Sequence, residues 1–181
     1  ELVEKSVPGF RVTRVPGDYY AQPLDFRRQC LGAASISHLC KSIVMENTKD
    51  ERPFPQGLAG EGGDPWTSKY FMIIVQYVSK LDGDKLRDFV YDKCEGKVSR
   101  RKIKFRLVAE ETSAAITGYR HNAVTPVATA KNIPILMSHH IARLNPNFFW
   151  LGAGEVDLKV GFSASDFIAA YGVHTVDCTV D

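Results

Sequence analysis

A chain of 181 residues is one domain's worth of sequence and long enough to bury a core without disulfide staples. Hydrophobic residues at 44% and charged residues at 24% describe an ordinary soluble globular protein, and a net charge of +2 does not by itself point to nucleic acid. No apolar run approaches the roughly 20 residues that span a bilayer. Four cysteines (Cys30, Cys40, Cys94, Cys178) form no Cys-x-x-Cys pair, which argues against structural zinc and for reduced thiols in the cytoplasm.

No signal sequence opens the chain, and its start at Glu1 reads as a trimmed terminus. Phe10, Val12 and Val15 come in near alternation and predict a short first strand. Pro16-Gly17-Asp18 then turns the chain into Tyr19-Tyr20. From Pro23 to His38 the positions Leu24, Cys30-Leu31 and Ala34 keep helical spacing, with Pro23 acceptable in a first turn. Arg27 and Arg28 are expected to face solvent or an anionic ligand. Leu39 to Met45 reads as a strand interrupted by Lys41. Side chains alternate along a strand, so Cys40 points away from Lys41 and is read as a buried small hydrophobe.

The stretch from about 50 to 69 carries three prolines and four glycines without an apolar period, so a long mobile loop is expected there. Tyr70 to Val78 is nearly all apolar, the pattern of a central strand buried on both faces. Asp82 or Gly83 opens a helix with Leu86, Phe89, Val90 and Cys94 on one face, closed by Glu95-Gly96.

Lys97, Arg100, Arg101, Lys102, Lys104 and Arg106 follow within ten residues, with no acid among them. Ile103, Phe105 and Leu107 alternate with the last charges, which predicts a strand with one wet face. A solvated face and a polyanion contact are the two readings of such a cluster. Glu110-Glu111-Thr112 opens a short helix, acids favourably at its N-terminus. Strands are then predicted at Ile133 to Met137, Phe148 to Leu151, Val156 to Val160 and His174 to Cys178. Short helices are capped by Ser138 and Ser163. About seven strands and several short helices make a mixed α/β (α+β) pattern without strict βαβ alternation.

Between the helix after Glu110 and the strand at Ile133 lies the stretch on which function turns. Gly118-Tyr119 leads into a polar loop, Arg120-His121-Asn122, and then into Ala123-Val124-Thr125-Pro126. Proline pushes Thr125 into an extended conformation, so Val124-Thr125-Pro126 reads as a rigid rim. The N–H groups upstream of it are left without sheet partners, free to meet a ligand. An ordinary surface loop is the bland alternative.

Gly118-Tyr119 with Asn122 to Pro126 resembles the Gly-Tyr and Gly-x-x-x-Pro loop of the YbaK and prolyl-tRNA-synthetase-associated domain family, in its eukaryotic branch. His38 to Val44 is similar to that family's lysine-bearing strand, and Gly152-Ala153-Gly154-Glu155-Val156-Asp157-Leu158 to its late glycine turn. The resemblance spans about residues 20 to 178, and it implies a single domain with a partly closed mixed sheet surrounded by short helices. It also implies a trans-editing hydrolase that cleaves the ester bond of mischarged aminoacyl-tRNA. Lys41 then matches the lysine that meets the aminoacyl end. Tyr20, Gly118, Asn122, Ala123, Val124, Thr125, Pro126, Gly152, Ala153 and Gly154 fall on the substrate side. Lys97, Arg100, Arg101 and Lys104 become candidates for the tRNA phosphates. The implied partners are the acceptor end of an aminoacyl-tRNA and, as an option, a synthetase; no membrane and no cofactor is implied. Two departures stand out. Many bacterial relatives have Gly-Gly at Asn122-Ala123, and some carry an acid at Lys159.

Other chemistries lack their residues. His139-His140 are adjacent, and adjacent side chains rarely converge on one metal ion. The zinc deaminase, nucleophile-elbow and P-loop patterns are absent. His121 is a conceivable general base but reads more simply as a rim residue. A non-catalytic binding module of the same fold and a protein-interaction domain remain the rival functions.

Overall fold

The computed structural model describes residues 1–59 and 63–180. In chain order it forms β1 (Arg11–Arg14), α1 (Leu24–Leu31), β2 (Cys40–Asn47), β3 (Tyr70–Gln76), β4 (Lys80–Leu81), α2 (Gly83–Lys93), β5 (Phe105–Leu107) and α3 (Glu110–Thr117). It continues with β6 (Ile135–Ser138), α4 (His139–Ala142), β7 (Phe148–Gly152), β8 (Leu158–Ser163), α5 (Ala164–Tyr171), β9 (His174–Val176) and β10 (Thr179–Val180). The class is mixed α+β, as expected. Among the described residues the strands number ten rather than about seven, because two-residue strands such as β4 and β10 carry too little pattern to be seen in sequence.

The main sheet has the order β5-β2-β3-β6-β9, beside a three-stranded sheet β1-β8-β7 and the small β10-β4 pair. None of them closes on itself, so the partly closed sheet expected above is in fact three open ones. β3 occupies the middle of the main sheet, and all seven of its residues are buried. Its continuous apolar run is what a strand covered on both faces requires. On one face Phe71, Ile73 and Val75 pack with Leu86 and Val90 of α2. On the other, Ile74 joins Cys40, Phe149, Leu151, Phe162 and Phe167, the core shared with β7, β8 and α5.

Local chemistry explains where the elements start and stop. Asp82 caps α2 by accepting from the N–H groups of Asp84 and Lys85, and the Ser163 hydroxyl accepts from Asp166 at the head of α5. The helix expected through His38 stops at Leu31. Gly32 takes a left-handed φ of 59° there and closes α1, and a single turn of 3-10 helix covers Ile36–His38. The strand expected over Ile103 to Leu107 is present as β5, and Arg100–Lys102 form a 3-10 turn ahead of it.

The 50–69 segment is tied down at several points. Lys69 N–H donates to Gly57 O at 2.8 Å, Arg52 reaches Thr67 O at 2.7 Å, and Leu58 packs against the core around Tyr70. Gly60 and Gly62, part of the expected mobile loop, lie outside the described residues.

Candidate functional site

The loop after α3 and the turn after β7 were separate stretches in sequence. Two glycines let them meet. A Cβ at Gly152 would lie 2.9 Å from Val124 O, and one at Gly154, whose φ is +92°, would lie 2.9 Å from the Tyr119 ring. Gly154 N–H then donates to Ala123 O at 3.1 Å, clasping turn to loop. Tyr119 is held in turn by its hydroxyl, which donates to Val127 O at 2.7 Å.

Inside the loop, Asn122 adopts φ +63°, a left-handed conformation that asparagine tolerates better than most residues. Ala123 is not in that region; it is fully buried, with its N–H donated to Arg120 O at 3.0 Å. Of the pair Asn122-Ala123, only the first position takes a positive φ. The N–H groups of Asn122, Val124 and Thr125 have no hydrogen-bond acceptor among the described residues. Pro126 is buried beneath this rim, and His121 is exposed at its tip.

Tyr20 reaches this loop from the far end of the sequence. Its hydroxyl donates to Asn122 O at 2.9 Å and accepts from Lys159 Nζ at 2.7 Å. Lys159 is 3% exposed, donates a second bond to Val156 O at 3.0 Å, and sits over the Tyr20 ring at 4.3 Å. Burial depresses its pKa to about 8; nearby Asp157 opposes that shift and Arg27 adds to it. Burial pushes the hydroxyls of Tyr19, Tyr20 and Tyr77 upward, so all three remain protonated at neutral pH.

Arg27 is half-buried. Its guanidinium lies 5.4–5.6 Å from the rings of Tyr19, Tyr20 and Tyr77 and donates to Tyr20 O and Gln22 O. A small cleft among these groups is lined by Tyr20, Cys40, Tyr77, Trp150, Gly152 and Lys159.

Lys41 and Cys40 point to opposite faces of β2, as alternation predicts. Cys40 is buried and lines the cleft, with its thiol pushed well up by burial. Lys41 is half-buried, and its ammonium stands 5.7 Å from the Tyr77 ring centroid. It therefore joins the Tyr20–Lys159 cluster through Tyr77 and does not line the cleft. Ser42 shares the Cys40 face. Its buried hydroxyl lacks a partner among the described residues, a feature sequence gave no hint of. For Lys159, a place between the apolar Leu158 and Val160 was the one signal available.

The basic segment is divided. Lys97 pairs with Asp64, Arg100 with Asp88 at 2.8 Å, and Arg106 with Glu46 at 2.9 Å. Arg101, Lys102 and Lys104 are exposed and have no acidic partner among the described residues. Neighbouring Asp64 and Asp88 are held below the ordinary carboxylate range by their cations, Asp88 at about 2.

His139 and His140 stack at 4.1 Å and gather no third ligand; no group of three His, Cys, Asp or Glu that could hold a metal occurs among the described residues. Nor is any described helix long and apolar enough to cross a membrane.

No family profile and no curated protein matches the chain. Solved structures do. A computationally designed scaffold for grafted linear epitopes aligns with a TM-score of 0.72 at 15% identity, covering 99% of this chain and 92% of its own. The hypothetical protein APE2540 aligns at 0.68 and 15% identity over 99% of this chain and 96% of its own. A candidate trans-editing enzyme for prolyl tRNA synthetase aligns at 0.71, again with 15% identity, over 99% of this chain and 92% of that protein. What the chain shares with them is the fold, a mixed α+β architecture of the YbaK kind.

Proposed function

We propose that the chain is a trans-editing deacylase that hydrolyses the ester joining a wrong amino acid to the terminal ribose of a tRNA. The observation that carries this reading is the loop Asn122–Thr125, whose unpartnered N–H groups are clasped against the glycine turn 152–154 beside the small cleft that Lys159 lines. The fold shared with a candidate prolyl-tRNA editing enzyme supports it.

The ester is activated by its α-ammonium group and the neighbouring ribose hydroxyl, so positioning supplies much of the required rate. Water adds to the carbonyl carbon, and the carbonyl oxygen becomes an oxyanion. Loop N–H groups in preorganised positions stabilise that charge. The tetrahedral intermediate then expels the ribose oxygen, which takes up a proton and leaves as the tRNA hydroxyl, with the free amino acid as second product. Lys41, half-buried at the Tyr77 side of the cluster, anchors the scissile end electrostatically. Arg101 and Lys104, with Lys97 and Arg100 behind their ion pairs, are the groups for acceptor-stem phosphates.

The test is a deacylation assay over a panel of mischarged tRNAs. Turnover supports the enzyme. Salt-sensitive binding without turnover selects a non-catalytic tRNA- or synthetase-associated module, and neither result selects a protein-interaction domain.

A further inference from the structure

An ammonium group has three donors and no acceptor. Where Lys159 Nζ donates to the Tyr20 hydroxyl at 2.7 Å, that hydroxyl cannot return its own proton to the lysine. Its proton is left to the Asn122 carbonyl, 2.9 Å away, with the Tyr77 hydroxyl beside it as the other acceptor; Asn122 is the one residue of Asn122–Thr125 with positive φ. A second bond, to Val156 O, fixes the ammonium itself at the base of the glycine turn. One buried cation thus touches both walls of the site, the turn directly and the loop through Tyr20.

We propose that Lys159 is a positioning residue that, while protonated, commits the Tyr20 proton to the Asn122 carbonyl and thereby holds the Asn122–Thr125 loop in its site-forming shape. The proposal builds on the deacylase reading for its consequence in turnover but not for its structural content. Deprotonated, the amine gains a lone pair and can accept from Tyr20, so the hydroxyl is released from the loop. Burial lowers the lysine to about 8, which puts this change within reach of ordinary buffers. Among the other groups around it, Arg27 lies over the same rings. Tyr19, Tyr20, Tyr77 and Cys40 are all pushed up, and Asp157 is held down by Arg14.

The experiment follows amide exchange protection at Ala123 and Gly154, corrected for intrinsic rates, from pH 6 to 9.5. Wild type, Lys159→Met, Lys159→Arg and Tyr20→Phe are compared. Wild-type protection should fall about tenfold around pH 8. Lys159→Met and Tyr20→Phe should show the low value at every pH, and combining them should add nothing further. Lys159→Arg, which stays charged, should keep protection at pH 9. If Lys159→Met does not fold, Tyr20→Phe removes only the hydroxyl and reads the same bond.

Equal protection in wild type and Tyr20→Phe across the range overturns the proposal, as does a pH dependence that survives in Lys159→Arg. In the deacylation assay, Lys159→Met should lower kcat with little change in KM. A wild type without turnover on any tRNA removes the deacylase reading alone, because the exchange data still decide the role of Lys159.

Discussion

The basic segment Lys97–Arg106 and the cluster around Lys159 hold positive charge in opposite ways. The first gathers six cations on the surface, three of them paired with Glu46, Asp64 and Asp88. The second places Lys159 and Arg27 among three tyrosine rings and bonds both to oxygens that carry no net charge. Surface charge is cheap and screened by salt, and each exposed pair contributes no more than about 1 kcal/mol. A buried ammonium loses its hydration and keeps only what its donors find, so its position and protonation state become coupled to the groups it touches. Six charges therefore argue for loose electrostatic contact, and one buried charge for organisation of a site.

The largest expected effect lies at Lys41, which stands between these extremes. Lys41→Ala should cut deacylation by about a hundred- to thousandfold, roughly 2.7–4 kcal/mol, if it stabilises the developing oxyanion. Binding of the whole tRNA should change far less, and the variant should melt like wild type. Arginine should rescue poorly, since its planar fork is directed differently from an ammonium. Full turnover in Lys41→Ala would move the essential charge to the Lys159 side of the cluster.

Burial of Lys159 has a signature in stability. Its folded pKa, about 8, lies below the ordinary 10.5, so between those values the unfolded chain binds more protons than the folded one. Stability therefore rises with pH across that window, while below about pH 8 both states carry the proton and the contribution is constant. Relative to Lys159→Met, the wild type should gain up to roughly 3 kcal/mol between pH 8 and 10.5. Parallel denaturation curves for the two proteins over that range would show the lysine to be hydrated.

Gly152→Ala should destabilise by about 1–3 kcal/mol, because the added Cβ meets a backbone carbonyl at 2.9 Å and one wall must move. Turnover should suffer along with stability, since the carbonyl belongs to Val124 of the loop. Thermal melts with a parallel deacylation assay check both.

For the surface segment the expected effects are smaller. Arg101→Ala with Lys104→Ala should flatten the salt dependence of tRNA binding by about one slope unit for each lost phosphate contact. Lys97→Ala with Arg100→Ala should flatten it less, because those cations already face Asp64 and Asp88. Equal slopes in all three proteins would return the segment to a plain solvated face. The smallest expected effect is none at all. Chelator treatment should leave turnover unchanged, and a loss that zinc restores would break the positioning mechanism.

Much of the fold was legible because it rests on local pattern. The apolar run of β3, the Asp82 and Ser163 caps and the alternation of Cys40 with Lys41 all report residues within a few positions of one another. The readings that failed depended on conformation or on distant partners. Gly32 ended α1 where helical spacing ran on, and β4 and β10 became strands only by pairing across the chain. In the site, the loop 118–126 and the turn 152–154 were each recognisable, but nothing in sequence indicated that Gly152 admits the Val124 carbonyl.

By itself, then, the sequence determined the central buried strand, the mixed α+β class and the presence of the basic segment. Tertiary structure alone decided which charges matter. Lys159 is buried because Tyr20, 139 positions earlier, lies against it, and Arg27 is sequestered by three tyrosine rings drawn from two separate segments. Hydration, and with it pKa and hydrogen-bond direction, depends on every group within a few ångströms, and periodicity along the chain does not encode those neighbours.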